Sequence, residues 1–95
     1  MNLKERWAGC IEQWEWIVAE GYTSGQEGKE DWVKLHGGPT CHFCAHDLEK
    51  GIGHCQQCPG VLVDPTFTCM SGAYHYMANP KEFLDKLKEL NPYGP

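Results

Sequence analysis

The sequence predicts a small α+β zinc-bound domain, in which N- and C-terminal helices flank zinc-knuckle loops and a short β-hairpin. Three observations predict it. Apolar residues recur at helical spacing near both ends of the chain, two Cys-x2-Cys pairs sit in a glycine-rich middle, and short β-branched runs follow the second pair. Ninety-five residues make one domain, spanning 1–95. A chain this short buries only about 60–65% of the surface its unfolded form exposes, so a metal staple adds substantially to its core.

The first helix is predicted over residues 3–20. Leu3, Trp7, Cys10, Ile11, Trp14, Ile17 and Val18 fall on one face at about 100° per residue. Asn2 is placed to cap it, Glu5 stands at the capping-box position, and Gly21 suits its end. Trp16 points away from that face, about 200° from Trp14. Residues 21–28 read as a loop, and Lys29 to His36 as a short helix with Trp32, Leu35 and His36 on one side. Gly37-Gly38-Pro39 ends it.

Residues 40–59 carry the cysteines on loops. Gly60–Asp64 and Thr66–Cys69 read as two short strands joined at Pro65, and Ser71–Ala78 as a helical turn or irregular chain. The last helix is predicted over 80–90. Asn79 caps it, Pro80 occupies its first position, and Glu82 completes a capping box. Phe83, Leu84, Leu87 and Leu90 share its apolar face, and Glu82 with Lys86 and Asp85 with Lys88 are spaced to pair in charge. Asn91-Pro92 stops it.

The chemistry lies in Cys41-His-Phe-Cys44, ten residues, and Cys55-Gln-Gln-Cys58. Two residues between cysteines let a tight turn present both sulfurs to one tetrahedral ion, and two such turns complete a zinc shell. Gly51 and Gly53 let the intervening loop fold back. Cys69 is a fifth thiol, ten residues beyond Cys58, and competes with Cys55 or Cys58 for a place. The same pattern admits an iron–sulfur cluster or a rubredoxin-type iron centre. Cys10 falls on the core face of the first helix and reads as a small buried apolar residue. His42, His46, His54 and His75 surround the cysteines in sequence, with His54 the best placed to support a ligand.

Charge narrows the partners. The formal charge is −5, and a tetrathiolate zinc site would bring it to about −7. That opposes non-specific attraction to nucleic acid or anionic membrane. No signal peptide and no run of about 20 apolar residues is visible, so the expected setting is cytoplasmic.

The motifs Trp14-Glu15-Trp16, Lys29-Glu30-Asp31-Trp32, Gly37-Gly38, Cys41/Cys44, Cys55/Cys58-Pro59, Cys69 and Tyr74/Tyr76 together resemble a group of small uncharacterised proteins found largely in bacteriophages and prophages. The likeness covers about residues 7–90. It implies zinc binding and a phage or bacterial cytoplasmic setting, hence the host cytoplasm for a phage-encoded chain. It implies no activity.

The expected function is a protein–protein interaction module held together by structural zinc, acting on an unidentified protein partner. Trp16, Tyr74 and Tyr76 are the candidate anchors, because Trp and Tyr dominate interface energetics. The alternative use of such a site is a nucleic-acid-binding zinc ribbon. Between Cys41 and Asn79, however, Lys50 is the one Lys or Arg, set against Asp47, Glu49 and Asp64. An enzyme is not expected. A nucleobase deaminase needs His-x-Glu, which is absent, and Gly25-Gln-Glu-Gly28-Lys29 is too short for a phosphate loop. His46, His75 and Asn79 match a small zinc-knuckle nuclease poorly in spacing.

Overall fold

The apolar stripe of the first eighteen residues needs a partner on every side, and the fold supplies one. The computed structural model describes residues 2–51, 55–70 and 72–94. It contains α1 (Leu3–Ala19), α2 (Gly25–His36), α3 (His42–Lys50), α4 (Pro59–Val63) and α5 (Pro80–Leu90). Helix α1 is central, and α2, α3, α4 and α5 all pack on it.

Helix α1 starts as its sequence dictates. The Asn2 side chain accepts the Glu5 N–H at 2.8 Å, and the Glu5 carboxylate accepts the Asn2 N–H at 3.0 Å. It buries Trp7, Cys10, Trp14 and Ile17. Trp14 meets Phe83 of α5 edge-on at 4.9 Å between ring centroids, and Trp7 meets Phe43 of α3 in the same way at 4.7 Å. Such pairs add about 0.5–1.5 kcal/mol each beyond the area they bury. Leu84 and Leu87 of α5 complete the core.

Helix α5 begins at Pro80, but its capping box does not form. The Asn79 side chain donates to the Gly72 carbonyl at 3.4 Å instead. Its charge pairs are also regrouped, as Lys81 with Asp85 at 3.0 Å, Lys86 with Glu89 at 3.3 Å, and Lys88 with Glu15 of α1 at 3.7 Å.

Helix α2 is longer than expected. Ser24 caps it, so half of the predicted loop 21–28 is helical. Gly25 is required there by a close approach, because a Cβ would stand 1.9 Å from the Tyr76 carbonyl oxygen. Trp32 is buried and His36 stacks on it at 3.7 Å, whereas Leu35 is 68% exposed and does not share their side.

The α+β expectation is overturned. Among the described residues there is no strand, and the predicted hairpin is absent. Cys58-Pro59 starts α4 instead, with Pro59 supplying a preset helical φ. The apolar run Val61-Leu62-Val63 is helical, and the turn before it is closely packed at Gly60, where a Cβ would lie 2.5 Å from the Phe67 ring. Beyond it Asp64 forms a local turn, accepting the Thr66 N–H at 3.0 Å and hydroxyl at 2.7 Å. The expectation of knuckle loops throughout 40–59 is corrected too. Cys41 caps α3, and Cys44 lies on its first turn.

Candidate metal centre

The site is built where α3 and α4 come down on α1. Buried Gln13 of α1 anchors the approach, its side-chain amide donating to the Thr40 carbonyl at 2.9 Å. The next residue, Cys41, has extended backbone and caps α3. Its Sγ accepts the Cys44 N–H at 3.4 Å, and its carbonyl accepts the Ala45 N–H.

Spacing by three places Cys41, Cys44 and Asp47 along one side of the first turns of α3. Asp47 is 5% exposed. Its two carboxylate oxygens accept the backbone N–H of Cys55 at 3.1 Å and of Gln57 at 2.6 Å. Cys55 is the one non-glycine described residue in the left-handed region, at φ 65°. That conformation costs of order 1–3 kcal/mol, which the Asp47 clamp offsets. The turn closes when the Cys58 N–H donates to the Cys55 carbonyl at 3.3 Å.

All six cysteines are free thiols. Cys41 and Cys44 share a hydrogen bond between side chains, which pulls the Cys41 thiol below the usual range and pushes Cys44 up. Backbone amides at Phe43 and Cys44, together with Lys29, also favour the Cys41 thiolate. Burial pushes Cys58 up to about 11, against hydrogen bonds from the Val61 and Gly60 amides. Burial likewise raises Cys69, helped by repulsion from Cys41 and Cys55, and raises Cys10, helped by Cys41, Cys58 and Cys69. Electrostatic influence reaches the predicted set Cys41, Cys44, Cys55 and Cys58, and Cys69 as well, but Cys41 and Cys44 are the pair whose side chains hydrogen-bond to each other.

The donors fit a soft cation in kind, being thiols on separate segments, two of them facing helix-start amides. Among the described residues, no three His, Cys, Asp or Glu side chains stand close enough together to enclose an ion. An ion held here would need the segments to draw in around Cys41 and Cys44.

The histidines divide. The His42 ring lies 3.2 Å from the Arg6 guanidinium, which also pairs with Glu49 at 2.7 Å. His46 is buried on α3, and its Nδ1 has no partner among the described residues. Burial and then Arg6 lower both imidazoles from their usual value. His75 hydrogen-bonds the Met77 N–H, and His54 lies outside the described residues.

The three expected partner anchors are largely engaged inside the fold. Trp16 packs within 6 Å of Tyr22, Trp32 and His36, at centroid distances of 5.7, 5.6 and 5.7 Å. Tyr74 stacks on Phe67 at 5.9 Å, and Tyr76 meets Trp14 while Lys29 Nζ sits 4.4 Å from its ring. The sequence does not tie Asp47 or Lys29 to the cysteines; the fold does. The three-residue spacing of Cys41, Cys44 and Asp47 is the one sequence signal that points to the first.

Scanned against protein-family models, curated proteins and solved structures, the chain matches none. No described helix is long and apolar enough to cross a membrane.

Proposed function

We propose that this chain is a non-catalytic protein-interaction module whose thiol lobe is stapled by one zinc ion. The metal reading is supported by the two Cys-x2-Cys pairs, one presented by the start of α3 and the other by a turn that Asp47 clamps to the same helix. Zinc would supply a cross-link to a lobe that, among the described residues between Gly51 and Asn79, holds one five-residue helix. Thiolate ligation fits a reducing compartment such as the cytoplasm.

The interaction reading is supported by side chains the fold leaves out. Leu48, Leu62, Val63 and Met70 are 69%, 48%, 41% and 60% exposed, and all four belong to the thiol lobe. Apolar groups held outward on a cross-linked lobe suit capture of a protein, and the net charge of −5 disfavours nucleic acid. These side chains stand beside Trp16, Tyr74 and Tyr76 as candidate anchors.

Native mass spectrometry of the purified chain tests the metal, with one zinc per chain expected. The interaction is tested by capture from a bacterial lysate. Leu62→Ser with Met70→Ser should retain zinc and lose the partner that the unaltered chain keeps. Capture that survives both changes, or a chain that takes up no metal, overturns the corresponding half of the reading.

A further inference from the structure

We infer that Asp47 is the positioning residue that sets the second thiol pair for metal capture, an inference that rests on the zinc reading above. Three observations meet at this carboxylate. It is buried, it shares a side of α3 with Cys41 and Cys44, and both its oxygens are spent on backbone N–H groups of the segment that carries Cys55 and Cys58. The carboxylate is therefore not a ligand in this arrangement. It acts through the backbone of its neighbours.

The physical consequence is a coupling between the two pairs. Helix α3 presents the first pair directly, from its cap and first turn. One turn further on it holds the second pair through Asp47. The left-handed Cys55 has no glycine to make that conformation cheap. Without the clamp, Cys55 relaxes toward ordinary backbone angles and the Cys55–Cys58 turn loses its tie to the helix that carries the first pair. The ion would then have to order the Cys55–Cys58 turn itself, and that ordering is subtracted from its affinity. Outer partners of this kind typically change metal affinity by 10–100-fold.

The test measures zinc affinity by competition with a chromophoric chelator, on the full chain and on Asp47→Asn and Gln57→Pro. Asp47→Asn keeps the shape but turns one acceptor into a donor facing an N–H. Its zinc affinity should fall about 10–100-fold. With cobalt(II) as the probe, its sulfur-to-metal charge-transfer band should weaken as Cys55 leaves the shell, a signature that a merely structural loss in the helices would not give. Gln57→Pro deletes one of the two N–H donors and leaves Asp47 intact. It should weaken zinc by a smaller factor, and it decides the matter should Asp47→Asn fail to fold. Unchanged affinity and an unchanged cobalt spectrum in the folded variants overturn the role of Asp47 while leaving the zinc site standing. An unaltered chain that binds neither zinc nor cobalt overturns the zinc reading itself.

Discussion

The helical frame of α1, α2 and α5 and the thiol lobe of residues 41–79 are held by different means. In the frame, Trp14, Ile17 and Leu87 are at most 2% exposed, and large rings interlock across helices. Its stability comes from area removed from water and from close packing. In the lobe, the carboxylates of Asp47 and Asp64 hold turns through hydrogen bonds, while Leu48, Leu62 and Met70 face outward. Phe43 and Phe67 join the two regions, lying 6.2 Å apart, with Phe67 also 6.2 Å from Phe83. The lobe buries Phe43, Cys58, Pro59 and Phe67 where it meets the frame, whereas its outer Cys55–Gln57 turn is exposed or half-buried and rests on hydrogen bonds.

The largest expected effect lies in the frame. Trp14→Ala removes a ring that meets both Phe83 and Tyr76 and should cost about 3–5 kcal/mol in urea unfolding, a large share of a small domain's stability. Both regions should then unfold together. Cys58→Ser should behave in the opposite way. Zinc uptake should be lost and the lobe amides should exchange rapidly, while near-ultraviolet circular dichroism of the tryptophans persists. A Cys58→Ser chain that loses the tryptophan signal as well would erase the distinction between the regions.

A smaller effect is expected at their seam. Gly60→Ala forces a methyl group into the Phe67 ring and should cost about 1–3 kcal/mol, measured by thermal or urea unfolding. The smallest concerns pH. The Tyr22 hydroxyl donates to Asp31 at 2.5 Å, and this bond pushes the phenol up to about 12 from its ordinary 10. A raised value favours the neutral phenol in the folded chain. The contribution is therefore fully present below pH 10 and is lost as pH climbs from 10 through 12. Ultraviolet titration of Asp31→Asn should bring the Tyr22 midpoint back toward 10.

The frame was legible in the sequence and the lobe much less so. Helix α1 announces itself through seven apolar residues on one face and a capping box that forms as written. Helix α5 does so through Pro80, Phe83, Leu84 and Leu87. The start of α2 was hidden because Gly25 and Gly28 look like loop residues. They are small because Tyr76 and Ile17 press against them, a long-range fact that no local pattern carries. In the lobe, the cysteine spacing masked the helix around Phe43, His46 and Asp47, and the Val-Leu-Val run outweighed the proline before it. Cys10 is buried, as its place on the apolar face of α1 predicts. Lys29 and Asp47 act on cysteines far along or across the chain, so neither could be assigned without the fold.

The central claim is that an ion ties together what burial does not. Hydrogen exchange on the zinc-loaded and chelated chain, followed amide by amide, tests it most directly. The account predicts that Cys55, Gln57 and Cys58 lose protection on chelation while the middle of α1 and of α5 keep theirs. Equal protection of those three amides with and without metal would contradict it.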